Sequence, residues 1–464
     1  MDELLEQPVR QIAEAIRTRQ VTSKQVTRAF LDRIEATHPA LNAVVTLSAE
    51  AAMKSAERAD LALAGGETPG LLFGVPMTIK DSLDTFDTVT TWGTLGRRDF
   101  RPGRDATCVE RLRNEGAILM GKTNTPEFTL SFKTDNLVFG KTCNPHNVER
   151  TPGGSSGGAA AAIAARCTPF DLGTDTGGSI RLPSHFCGIA GIKPTTGRVP
   201  CTGNALPSTG LLAPLSQPGP MAKYVDDLAY LLEIIQGPDN QDPHAVPVPW
   251  LSPDSVNVEA LRVGYHLDNG IKSPDQPIKD AVNTVIDLIK SSGKTVSEAR
   301  PSGLEMAAFI YSRLFAADDG EMVDALLEDC HTDRPSQPVA DMISRRPDSL
   351  GAAEFAQVIN LWHNYQSSML SYFNQMDILI CPVNGRTALA HDETEDFSNY
   401  TYTAAYNLTG WPSVVIRAGT DPDGLPIGVQ ILARPFAEHQ ALALAAWLEE
   451  KLGKFEPPLL NIGS

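Results

Sequence analysis

Two serines framed by glycine stand 24 residues apart: Ser155 in Thr151-Pro152-Gly153-Gly154-Ser155-Ser156-Gly157-Gly158, and Ser179 in Asp175-Thr176-Gly177-Gly178-Ser179-Ile180-Arg181-Leu182-Pro183. Glycine beside a serine lets the backbone approach a ligand closely and lets amides point at it. Such loops suit a nucleophilic hydroxyl or an anion cradle. The bland reading is a pair of flexible turns. Two such loops bracketing one apolar run, residues 159–165, point instead to a single site built from both.

Two motifs fit by letter and fail on context. Gly153-Gly154-Ser155-Ser156-Gly157 satisfies G-x-S-x-G, whose serine must follow a buried strand. The preceding residues 143–152 carry two prolines and two asparagines and read as a loop. Gly116 to Thr123 satisfies the phosphate-loop pattern G-x-x-x-x-G-K-T. Its intervening Ala117-Ile118-Leu119-Met120 reads as a buried strand, and Pro126 stands where a helix should open. Nucleotide binding is the alternative this context opposes.

The stretch from Gly153 to Pro183 resembles the signature of the amidase signature family: a glycine–serine cluster, a small-residue helix, then G-x-D-x-G-G-S-I-R-x-P. Gly74-Val75-Pro76-Met77-Thr78-Ile79-Lys80-Asp81 resembles the family's upstream lysine motif. Gly188 to Thr195 and Gly424 to Gln430 extend the likeness over nearly the whole chain. Asp171 departs from it, since many members carry a small residue there.

The resemblance implies that Ser179 forms an acyl-enzyme, that Ser155 bridges it to Lys80, and that Lys80 is the base. Ser155, not Ser156, has the family's spacing to Ser179, and the resemblance implies a cis peptide at Gly154–Ser155. The amides of Thr176, Gly177 and Gly178 are expected to face the developing oxyanion. Asp175 and Arg181 are read as a buried pair that shapes the loop. Lys80 must be neutral to accept a proton, whereas a free lysine has a pKa of about 10.4. Burial behind the apolar run 75–79 would lower it. Asp81 would oppose that shift, but neighbours on a strand point to opposite faces. His185 is the one tempting histidine base, and it is read as structural because a histidine triad also needs an orienting carboxylate.

The elements that must hold these residues alternate between strand and helix, which indicates an α/β sheet covered on both faces. Helices are expected at residues 22–36, opened by a Thr22/Gln25 capping box, at 50–64, from a Thr107/Glu110 capping box to about 115, at 278–291 and at 435–452. Strands are expected at 74–80, 117–120, 170–174, 261–265, 378–382 and 414–416, with 305–373 mostly helical. The chain has 464 residues and shows no linker, and the resemblance implies one large α/β domain over 1–464 with a central mixed sheet and a signature core at about residues 70–220. The substrate pocket is expected to draw on 305–373 and 397–411.

The formal charge of −17 disfavours a nucleic-acid backbone as partner. Seven cysteines without a C-x-x-C pattern read as reduced cytoplasmic thiols, and nine histidines form no ligand cluster, so no metal or cofactor is expected. No apolar h-region opens the chain and no run is long enough to span a membrane. Sequons at Asn399 and Asn407 are read as chance. The leading expectation is a stand-alone amidase that turns a small-molecule carboxamide into acid plus ammonia or amine, with no nucleic acid, no membrane and room for a homo-oligomer. The alternative is the A subunit of a glutamine-dependent tRNA amidotransferase, which usually carries glutamine where this chain has Leu182. A non-catalytic binding protein is a third class, opposed by the intact Lys80, Ser155 and Ser179.

Overall fold

In the computed structural model, which describes residues 2–67, 70–345, 350–453 and 455–460, the strands fall into two sheets. Val44–Leu47 (β1), Pro76–Lys80 (β2) and Ile118–Thr123 (β3) form a small sheet in the order β1-β3-β2, with β2 and β3 parallel. The others are Phe170–Asp175 (β4), Ala190–Lys193 (β5), Gln217–Ala222 (β6), Val263–Tyr265 (β7), Val296–Glu298 (β8), Ile378–Pro382 (β9), Ser413–Thr420 (β10) and Pro426–Ala433 (β11). They form a mixed sheet in the order β4-β6-β5-β10-β11-β9-β7-β8.

The central strands of the large sheet are buried on both faces, as an all-apolar strand such as β9 requires. Along β9, Ile378 and Ile380 pack into one hydrophobic core, while Leu379 and Cys381 pack into another. The first core includes the helices Gln276–Ser291 and Glu438–Leu452; the second includes Ala307–Phe315, Ala352–Leu370 and Thr401–Leu408. The molecule is thus a single α/β domain on a mixed sheet, as expected. The separate small sheet that carries Lys80 was not foreseen.

Local signals worked where they were strong. Thr22 caps the helix Ser23–Leu41 with both bonds of its capping box. The Thr107/Glu110 box does not form: Ala106 occupies the cap, and the Thr107 hydroxyl donates to Asp239 Oδ2 at 2.7 Å instead. Tertiary pairing here outcompetes a local bond. β6 was missed because Pro218 and Pro220 argue against a strand. It pairs along its length with β4 but meets β5 only at Met221 and Ala222, so its ladder survives on the β4 side. The stretch 305–373 divides into Ala307–Phe315, Glu321–Asp329, Gln337–Ser344 and Ala352–Leu370; residues 346–349 of it lie outside the described residues. No helix among the described residues is long and apolar enough to cross a membrane.

Candidate active site

Three segments converge where β2 and β4 end. β2 delivers Lys80 at its last position, and β4 runs into the turn that carries Ser179. Ser155 sits in the loop before the helix Gly157–Ala164, every residue of which is buried. That helix packs closely because it is made of small residues: a Cβ at Gly158 would lie 2.3 Å from the Asn124 backbone nitrogen. The two serine loops are tied together by the Ser156 N–H, which donates to the Ser179 carbonyl at 3.1 Å. The Gly154–Ser155 peptide is cis.

Lys80 is shut off from solvent. Its Nζ lies 2.7 Å from Ser155 Oγ, 2.8 Å from Thr174 Oγ1 and 3.4 Å from the Thr174 carbonyl. A neutral amine in this pocket can donate two protons and accept one from Ser155. Burial pulls its pKa well below the ordinary lysine value, against the pull of Asp175 and Asp171. Asp81 faces away, as the alternation of a strand demands: its Oδ2 accepts the Thr91 hydroxyl and the Thr91 N–H at 3.1 Å. Ser155 is fully buried, whereas Ser179 keeps 7% of its surface exposed and lines the cleft. Among the described residues no hydrogen bond joins Ser155 Oγ to Ser179 Oγ. Ser156 turns its hydroxyl to the Thr174 carbonyl at 3.3 Å, which separates its position from that of Ser155.

Asp175 and Arg181 are a fully buried pair at 2.9 Å. Burial pushes the Asp175 carboxyl up, but the Arg181 guanidinium outweighs it and holds the group well below the usual carboxylate range. The carboxylate accepts the backbone N–H groups of Gly178 at 2.9 Å and Ile180 at 3.1 Å. This corrects one expectation: the Gly178 amide is taken by Asp175 and does not face the cleft. The Gly177 and Ser179 N–H groups donate to no acceptor among the described residues, and Thr176, Gly177 and Ser179 all line the cleft. Gly178 has φ +130°, and a Cβ there would lie 2.3 Å from Thr403 Oγ1, so this turn requires glycine.

His185 takes no part in this arrangement. Its Nδ1 accepts the Gly428 N–H at 2.7 Å and its Nε2 lies 3.0 Å from the Arg386 carbonyl, so both nitrogens are occupied. Burial lowers its pKa to about 4. The letters of a phosphate loop around Lys122 are strand β3, and Lys122 Nζ donates inward to the Leu83 carbonyl and the Thr85 and Thr90 hydroxyls. Asn407, the asparagine of one sequon, is buried, and its side chain donates to Asp175 Oδ1 at 2.9 Å. Asn407, Thr174 and Gln430, which accepts from Arg181 at 3.2 Å, are site residues that sequence reading missed. Their signals were present, within Gly173-Thr174-Asp175, the sequon and the Gly428-Val429-Gln430 motif.

In front of Ser179 opens a cleft of about 710 Å³. Phe132, Tyr311, Phe315, Phe397 and Tyr400 wall it, drawn in part from the two stretches expected to form the pocket. Phe132 and Tyr400 stack with centroids 4.0 Å apart.

The family model described as Amidase matches residues 25–442. A curated relative from Carboxydothermus hydrogenoformans, named as the A subunit of a glutamyl-tRNA(Gln) amidotransferase, is 32% identical over 95% of this chain and 96% of its own. One of that name from Desulfatibacillum aliphaticivorans is 34% identical, covering 95% and 96%. A solved 6-aminohexanoate cyclic dimer hydrolase superposes with a TM-score of 0.89 at 27% identity, over 98% of this chain and 100% of the other. These relatives overturn the expectation of a small-molecule partner alone with no nucleic acid, since their name includes a tRNA and marks them as one subunit of several. The inference from −17 failed because net charge averages the surface and says nothing of a local patch or a partner chain.

Proposed function

The chain belongs to the amidase family, a group of C–N hydrolase-type enzymes, and from that premise we propose that it cleaves a carboxamide through an acyl-enzyme on Ser179. Neutral Lys80 accepts the proton of Ser155 as Ser155 takes that of Ser179, and Ser179 Oγ bonds to the amide carbon. The Gly177 and Ser179 N–H groups meet the oxyanion. As the C–N bond breaks, the proton returns through Ser155 to the leaving nitrogen, which departs as ammonia or amine. Water then gives a proton to the same relay and attacks the acyl carbon, and Ser179 leaves as the hydroxyl. The observation that carries this reading is the 2.7 Å contact of a fully buried Lys80 with Ser155, whose loop is hydrogen-bonded to that of a Ser179 that lines a cleft.

The relatives favour one setting, the A subunit of a glutamine-dependent tRNA amidotransferase, because the match runs nearly end to end. There the substrate is glutamine, the protein partners are further subunits, and a tRNA is part of the complex. A stand-alone amidase is the second reading. It is favoured by Leu182, buried in the signature helix, and by a cleft roomier and more aromatic than a glutamine side chain requires. Unpaired cysteines support a reducing compartment, the cytoplasm. Ammonia release from glutamine, compared with aryl and alkyl amides, separates the two settings. Co-purification of a stable partner with glutamine turnover supports the first, and turnover of bulky amides by the chain alone supports the second. Release from none of them contradicts both.

A further inference from the structure

We propose that Asp171 is a positioning residue for Lys80: its carboxylate clamps the two strands at the lysine and supplies the negative charge beside which the Lys80 ammonium forms. This rests on reading Lys80 as the base. Asp171 lies on β4 and is fully buried. Its Oδ2 accepts the Thr78 hydroxyl at 2.6 Å and the Thr123 hydroxyl at 3.0 Å. Thr78 is two residues before Lys80 on β2, on the same side of the strand. Thr123 is the register partner of Lys80 on β3. One oxygen therefore binds both strands at the end where the lysine emerges. The other oxygen, Oδ1, is buried with no hydrogen-bond partner.

The charged groups around this point are few. Asp175 acts on Lys80 more strongly than Asp171 does, but its charge is already paired with Arg181 at 2.9 Å. Asp171 has no ion-pair partner among the described residues, and the cations that feel it are Lys80 and Lys122. Lys122 is influenced first by Asp81. Burial raises the Asp171 pKa to about 7, with the Thr78 and Thr123 hydroxyls opposing, so its charge is present on the alkaline side of neutrality. When Ser155 passes its proton to Lys80, an ammonium appears in a water-free pocket, and a nearby carboxylate stabilises it as one stabilises an imidazolium in other serine hydrolases. The same charge raises the pH at which Lys80 becomes neutral.

Asp171→Asn keeps the shape and an oxygen for Thr78 and Thr123 but removes the charge. The rising limb of kcat/KM is expected to move to lower pH by about 1–3 units, the effect of losing an opposite charge nearby. Its plateau is expected to fall, because a weaker base takes the proton less readily. The pH dependence of fluorophosphonate labelling at Ser179 should move in step. Thr123→Val, which removes one donor and favours the neutral carboxyl, should shift the limb in the same direction by less. An unmoved limb overturns the proposal whatever the plateau does, and if D171N does not fold, T123V decides it by the same criterion. A limb absent from the parent enzyme defeats the reading of Lys80 itself, a distinguishable failure.

Discussion

Lys80 and Lys122 lie on adjacent strands, one register step apart, and both are shut off from solvent. Each ammonium nitrogen has three oxygen partners. Burial lowers the pKa of both, to about 8 for Lys122, where Asp81 opposes it most, and well below the ordinary lysine value for Lys80, where Asp175 and Asp171 oppose it. The difference lies in where their partners lead. Lys122 is held by Leu83, Thr85 and Thr90, none of which lines the cleft. Lys80 meets Ser155, whose loop is bonded to that of Ser179. Burial makes a lysine able to lose its proton at moderate pH; a hydroxyl leading toward a nucleophile is what would make it a base.

Substitutions can break this contrast. Ser179→Ala should lower kcat by about 10⁶-fold, the scale of removing a serine nucleophile, measured as ammonia or amine release. Lys80→Met should cost about 10²–10⁴-fold, the range for a general base, and remove the rising limb of kcat/KM. Ser155→Ala should be similarly severe, and the double variant should be no worse than the poorer single, because groups acting as one unit are non-additive. Lys122→Met should leave the limb in place while destabilising the fold by about 1–3 kcal/mol, the cost of leaving buried acceptors unsatisfied, since the Leu83 carbonyl and the Thr85 and Thr90 hydroxyls lose their donor; urea unfolding measures this. A limb lost in Lys122→Met would erase the distinction between the two lysines.

The smallest effect belongs to His185. Its folded pKa of about 4 lies below the ordinary 6.5, so the unfolded chain binds the proton first. Its contribution to stability is present above about pH 6.5 and is lost as pH falls from there to about 4. His185→Gln should keep the rate limb and flatten that part of the melting temperature against pH. A steeper acid loss in the variant would contradict the burial of a neutral imidazole.

Much of this was legible in the chain because glycines and short motifs report local geometry. The serine loops, the buried alanine helix and Lys80 at a strand end were all readable from residue type and spacing. What was hidden depended on distant pairing. The Gly178 amide looked free for an oxyanion, yet Asp175 folds back from three residues earlier and takes it. Asn407 looked like a sequon and is instead a brace of the Asp175–Arg181 pair, 226 residues from Arg181. Pro218 and Pro220 concealed β6, because their local signal opposes a strand that pairing with β4 enforces. The acidic total charge misled about partners because it carries no positional information.

The central claim, that Ser179 is the nucleophile and Lys80 its base through Ser155, is tested most directly by mapping a fluorophosphonate adduct by mass spectrometry across pH. The account predicts an adduct on Ser179, at a rate that rises with pH in parallel with kcat/KM and loses that rise in Lys80→Met but not in His185→Gln. An adduct on Ser155, or a rise that survives Lys80→Met and disappears in His185→Gln, would contradict it.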